Sequence, residues 1–123
     1  MNKAQRLQQF WNSFQIPAYD ENSVPDDVEY PYITYSVADD SLDNTVYLTA
    51  SIWYRSFSWA EVESKKNEIA KRIGEHGFLS LPIDNGYVFM VKGTPFAQRM
   101  ADPSDELVKR MYLNINVEFL TAY

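Results

Sequence analysis

Hydrophobic and polar positions repeat along this chain with two periods, and the switches between them mark its elements. Ala4, Leu7, Phe10, Trp11 and Phe14 recur at three- and four-residue spacing. That stripe predicts a short amphipathic helix over residues 2–15, either docked on a sheet or detachable for a partner. Residues 16–31 lose all periodicity. Pro17, Pro25 and Pro31 interrupt them, Asp20, Glu21, Asp26, Asp27 and Glu29 make them acidic, and Tyr19 and Tyr30 are interspersed. An extended loop or arm is expected there, as plain surface or as a functional segment.

Period two takes over at Tyr32. Ile33, Tyr35 and Val37 alternate with Tyr32, Thr34 and Ser36, which predicts a strand, followed by a polar turn at 38–44. From Thr45 to Arg55 the alternation is clean: Val46, Leu48, Ala50, Ile52 and Tyr54 share one face, and Thr45, Tyr47, Thr49, Ser51 and Trp53 the other. One face then packs on helices while the other is partly solvated, and the short connection implies an antiparallel hairpin.

Residues 57–74 return to the helical period through Trp59, Val62, Ile69, Ala70 and Ile73. Ser58 stands where an N-cap belongs, with Glu61 three residues on and a Phe57–Val62 staple across them. Gly74 suits a left-handed helix end, and Glu61, Lys65, Glu68, Lys71 and Arg72 form the water-facing side.

Residues 75–85 look irregular, with His76, Gly77 and Pro82 among them, and Asn85-Gly86 marks a turn. Tyr87–Met100 reads as a strand bulged or bent at Gly93-Thr94-Pro95, after which 101–107 is an acidic connection. In Val108–Leu120, Met111, Leu113, Ile115, Val117 and Phe119 point inward, and Arg110, Tyr112, Asn114, Asn116 and Glu118 outward. Thirteen extended residues reach about 44 Å, so a hairpin projecting past the globule with exposed strand edges is expected. The expected fold is α+β, one domain over residues 1–123: a mainly antiparallel four-stranded sheet with helices packed on it, in the order α-β-β-α-β-β, ending in a long C-terminal hairpin.

Composition narrows the function. The chain is 46% hydrophobic and 15% aromatic, which argues against disorder, and its 123 residues suit one domain with a real core. No cysteine is present, which removes disulfides, thiol catalysis and thiolate metal sites and fits an intracellular history. No apolar run approaches the ~20 residues that span a bilayer, and the first residues lack the apolar centre of a secretory signal, so a soluble protein without membrane contact is expected. Net charge is −6, all of it carried by residues 1–54. Without a basic cluster, sequence-specific nucleic-acid binding is not expected.

Residue chemistry points to no reaction. His76 has no placed nucleophile or carboxylate, and a cation at a helix exit is its ordinary role. Asp39–Asn44 imitates a calcium loop but lacks the glycine at position six, and Ala50 stands where the bidentate glutamate belongs. The glycines at 74, 77, 86 and 93 form no phosphate loop. Asp102, Asp105 and Glu106 sit on an exposed turn, where nothing drives their pKa values apart for acid–base work. No enzyme, metal or cofactor is expected. What stands out is aromatic: Tyr32, Tyr47, Trp53, Tyr87, Phe89 and Tyr112 fall on partly exposed faces, where they serve an interface or are covered by a helix.

The leading helix, then PYITY, then TVYLTASIWYRS running into SWAEVESKKNEIAKRIG, and the closing GYVFMVKGTPFAQRMADPSDELVKRMYLNINVEFL resemble the tail terminator proteins of long-tailed bacteriophages, also called tail completion or head–tail joining proteins. The resemblance rests on order and pattern across nearly the whole chain; the acidic arm at 16–31 has no counterpart in it. It implies a structural subunit of a hexameric ring that caps the tail tube and joins it to the head connector. Its partners would be further copies of itself, the tail tube protein and the head completion protein. Its place would be the virion neck or tail, reached from the host cytoplasm during assembly. Related neck and minor tail proteins share the plan, and a non-viral binding module using an aromatic sheet face is the alternative. A ring needs two different complementary faces per subunit. Arg99, Asp102, Asp105, Glu106, Arg110, Tyr112, Tyr47 and Trp53 are the candidate interface residues. An acidic surface also suits a channel lining that repels DNA phosphates.

Overall fold

The computed structural model describes residues 1–36, 45–75 and 77–121. The elements are α1 (Lys3–Asn12), β1 (Ala18–Asp20), β2 (Tyr32–Tyr35), β3 (Thr45–Arg55), α2 (Ala60–Gly74), β4 (Leu79–Ile83), β5 (Gly86–Ala101) and β6 (Val108–Thr121). They build one six-stranded mixed sheet in the order β1-β2-β3-β6-β5-β4. This corrects the expected four-stranded sheet. The two additional strands are its edges, and both are short. β1 has three residues and runs parallel to β2. β4 has five and pairs antiparallel with β5.

Physical reasons for the two missed strands are visible. Three residues behind Pro17 are too few to display an alternation, yet Ala18 is buried and the Pro17 carbonyl accepts from Ile33 N at 2.8 Å. In β4, Leu79, Leu81 and Ile83 alternate properly, but Pro82 disguises the pattern. Proline is tolerated there because the strand pairs on one side only and needs no second set of donors.

β6 lies in the interior of the sheet, hydrogen-bonded to β3 from Thr45↔Glu118 to Arg55↔Val108 and to β5 along its other side. The hairpin therefore does not project with free edges. Its tip is pinned to the end of β3, where Ser56 N donates to Leu107 O at 2.8 Å and Arg55 Nε meets Asp105 Oδ2 at 3.1 Å. The break at Gly93 to Pro95 is a bulge: the register slips between Lys92 and Ala97 and both strands continue. Gly93 is required there, because a Cβ would come within 2.8 Å of the Asn114 carbonyl oxygen.

Both helices pack on one face. Ile33, Ile52 and Met111 form one cross-strand row of that face, and Tyr35, Ala50 and Leu113 the next. Val62, Ile69 and Ile73 of α2 and Leu7, Phe10 and Trp11 of α1 complete the core. α1 touches both β1 and β4, the outermost strands, so the sheet curls around it. At its start, Asp84 N donates to Met1 O at 2.9 Å and the terminal ammonium pairs with the Asp84 carboxylate. Farther along, Gln8 Nε2 donates to Ala18 O at 3.2 Å, and Trp11 stacks on Tyr35 at 6.2 Å between ring centroids.

Helix ends depart from expectation. The reciprocal capping box belongs to α1, where Asn2 Oδ1 accepts from Gln5 N at 2.8 Å and Gln5 Oε1 from Asn2 N at 2.9 Å. α1 closes at Asn12 rather than 15, with Ala4 exposed. α2 starts later than its sequence signal: Trp59 holds the cap position, and Ser58 Oγ accepts from Ala60 N at 3.2 Å as a local turn. Trp59 lies against the hairpin beneath Arg99 and Lys109, which shifts the first helical turn past Ser58. Phe57 forms no staple with buried Val62; it is 91% exposed. Gly74 remains helical, and the left-handed residue is Gly77, at φ 88°. Lys65 leaves the solvent face to donate to Phe14 O at 2.8 Å. His76, Val37 and the turn at 38–44 lie outside the described residues.

Trp11→Ala is expected to cost about 3–5 kcal/mol, the range for deleting a large buried aromatic. Asn2→Ala should cost about 1 kcal/mol through the lost cap. Urea unfolding monitored by far-UV circular dichroism measures both; equal, small effects would show that α1 does not brace the sheet.

Candidate functional site

The face of the sheet turned away from the helices carries the even-numbered residues of β6 from Arg110 onward, the odd-numbered residues of β3 from Tyr47 to Arg55 and their row partners. One row runs Tyr32–Trp53–Arg110–Met100, the next Thr34–Ser51–Tyr112–Gln98. Strand alternation puts these side chains together from four strands that are distant in sequence.

Arg110 organises the first group. Its Nε donates to Ser51 Oγ at 2.9 Å, and its guanidinium lies 4.6 Å from the Trp53 ring centroid and 5.4 Å from that of Tyr112. Trp53 stacks on Tyr32 at 5.9 Å and 12° between planes, and its indole Nε1 donates to Thr34 Oγ1 at 2.9 Å. Tyr30 continues the ladder at 5.4 Å from Tyr32. Ser51, a polar residue on the nominally solvated face, is only 3% exposed because Arg110 covers it. A guanidinium between two aromatic faces is held rigidly, and each such contact stabilises by about 0.5–2 kcal/mol. Burial lifts the Tyr32 phenol above its ordinary 10, the Tyr30 phenol adds to this, and Arg110 opposes it. The phenol is therefore a neutral donor at physiological pH.

A shallow concavity of about 180 Å³ adjoins this ladder, lined by Trp53, Met100, Asp102, Pro103, Val108 and Arg110 among others. At the far end of the same face, Phe89, Val91, Leu120 and the polar pair Asn116 and Glu118 line a second concavity of about 230 Å³. Tyr47 stands beside it, 82% exposed, in the row Tyr47–Asn116–Val91. The face thus has two aromatic ends joined by a polar middle of Thr49 and Asn114.

Of the residues named from sequence, the structure brings Trp53, Arg110 and Tyr112 into one cluster, with Asp102 at its margin. Tyr47 shares the face but not the cluster. Asp105 and Glu106 belong to the hairpin tip, where Asp105 binds Arg55 and Glu106 offers its carbonyl to Lys109. Arg99 points the other way: its Nε meets Glu63 Oε1 at 2.9 Å and its guanidinium covers Trp59, tying α2 to the hairpin. It is a stitch within the subunit rather than part of the open face. Tyr30, Thr34, Ser51 and Met100 are additions. Met100 was hidden because the bulge resets which β5 residues face outward.

Tip carboxylates serve the backbone. Hydrogen bonds from the Ser104 hydroxyl and N–H hold Asp102 below the usual carboxylate range, and the Leu107 N–H followed by Arg55 does the same for Asp105. Glu63 is likewise lowered, by hydrogen bonds from Lys66 and then Arg99. Among the described residues no group of three or more histidines or acids is placed to hold a metal, and no helix is long and apolar enough to cross a membrane. The arrangement suits recognition by area: flat aromatic surface, one fixed cation, and hydrogen-bonding groups between. Compared with models of known protein families the chain matches none, and no curated protein matches it significantly.

Because the folded Glu63 carboxyl sits below its ordinary value, its contribution is complete at neutral pH and is lost as pH falls through the lowered value. Thermal melts between about pH 6 and pH 3 should show Glu63→Gln with a shallower acid loss than the parent. Parallel curves would mean that the Glu63–Lys66–Arg99 contacts do not persist in solution.

Proposed function

We propose that this chain is a structural virion subunit of a long-tailed bacteriophage, assembling with copies of itself into a ring that caps the tail tube and joins it to the head connector. In this reading it is not an enzyme and needs no cofactor. The supporting observation is the one-sidedness of the sheet: both helices cover one face, and the other carries half-buried Trp53, Arg110 and Tyr112 and exposed Tyr47. Such aromatic and arginine clusters are the anchors of protein interfaces. The sequence pattern, with its resemblance to tail terminators, supplies the kind of assembly.

The edges argue about how neighbours meet. Three-residue β1 and proline-bearing β4 are poor templates for sheet extension, so subunits in this reading join through faces and loops rather than by pairing strands. The shallow concavity beside Trp53 and Arg110 favours a second reading, a monomeric module that docks a peptide on the same face.

Sedimentation over a wide concentration range, with and without tail tube protein, separates the two. A ring-forming subunit gains mass, whereas a strict monomer under all conditions would sink the first reading. Arg110→Glu and Tyr112→Ala are each expected to weaken assembly about tenfold or more while the far-UV spectrum stays native. Unfolded variants would instead show that the open face belongs to the folding core.

A further inference from the structure

An acidic arm and a basic cleft are two further charged features of the surface. Between β1 and β2, residues 21–31 form a defined segment: Ser23 N donates to Asp20 O at 2.8 Å, Val28 N to Pro25 O at 3.2 Å, and Val24 and Val28 are half-buried. Fixed in this way, Glu21, Asp26, Asp27 and Glu29 are all exposed, and none enters an ion pair among the described residues. Four clustered carboxylates without a cation repel one another, which favours any neighbour that brings positive charge.

That positive charge exists on the same chain, and no ion pair joins it to the arm among the described residues. Arg6, Gln9, Phe10 and Ser13 of the first helical segment, Arg72 of α2 and Leu81 of β4 line a cleft of about 300 Å³. Among the described residues its charged lining is the two arginines. An adjoining hollow is lined by Lys71 and Arg72 together with Glu75 and the Lys65-bound Glu68. Arg6, Lys71 and Arg72 form no ion pair among the described residues. The Arg6 guanidinium spends one corner on Gln9 Oε1, while its buried Nε–H finds no acceptor. Arg72, exposed on α2, presents a planar fork that can grip a carboxylate with two parallel bonds.

Arm and cleft are separate surfaces, the arm following β1 and the cleft lying between α1, α2 and β4. Two different complementary surfaces on one subunit are what a head-to-tail contact between identical copies requires. We infer that the acidic arm of one copy docks its carboxylates in the Arg6–Arg72 cleft of the next. The inference rests on the ring reading and specifies its contact.

Charge reversal in mixtures tests it. An arm variant, Asp26→Lys with Asp27→Lys and Glu29→Lys, and a cleft variant, Arg6→Glu with Arg72→Glu, are measured by sedimentation alone and mixed one to one. Each alone carries like charges on both surfaces, and its half-assembly concentration should rise about tenfold or more. In the mixture every contact again joins opposite charges, so assembly should return to the parent level. Raising salt should weaken assembly of the parent protein itself. If the cleft variant melts early, Lys71→Glu with Arg72→Glu, both on the exposed side of α2, replaces it. Variants that assemble like the parent, or impaired variants that mixing does not restore, overturn the arm–cleft contact and leave the ring standing. A parent that stays monomeric with tail tube protein overturns both.

Discussion

Ten helical residues hold the two ends of a six-stranded sheet together. α1 is fixed to the β4–β5 turn through Met1 and Asp84 and to β1 through Gln8, and it lays Leu7, Phe10 and Trp11 on the inner face. Edge strands of three and five residues have little hydrogen bonding of their own, so their stability comes from this shared helix. Curling the sheet around α1, with α2 beside it, uses up the chain's helices on one side. The outer face is left to side chains alone, and the proposed assembly surface follows from that asymmetry.

On that outer face, the atoms that stabilise the sheet are also those proposed for recognition. Arg110 covers the Ser51 hydroxyl and lies across Trp53 and Tyr112, so the surface is already ordered before a partner arrives. A preordered aromatic surface loses little side-chain entropy on binding. Arg99, one residue from the same row, does the opposite work by fastening the hairpin to Glu63. The two arginines show how alternation on paired strands divides a cluster of like residues into an inner stitch and an outer anchor.

The long elements were legible in the sequence because alternation is cheap to read when it runs far enough. β3 and β6 follow the predicted inward and outward sides; Leu48 to Ile52 and Met111 to Phe119 bury the expected residues. The failures are local. β1 is too short to alternate, Pro82 concealed β4, and with both edges missing the sheet was counted as four strands rather than six. Ser58 and Glu61 spell a capping box that tertiary packing of Trp59 against Arg99 overrides. Asn2 and Gln5 form the real one. Of the interface candidates, Trp53, Arg110 and Tyr112 emerged as one cluster, because period two fixes which residues share a face. Arg99 did not, because the bulge between Lys92 and Ala97 breaks the count along β5.

The central claim is that the uncovered face of the sheet is the surface buried on assembly. Hydroxyl-radical footprinting of the dilute subunit against its assembled form measures this at single side chains. Tyr47, Trp53 and Tyr112 should react in the dilute protein and become protected on assembly, while Trp11, buried beneath the sheet, stays unreactive throughout. Equal reactivity of Tyr47, Trp53 and Tyr112 in both states would contradict the account.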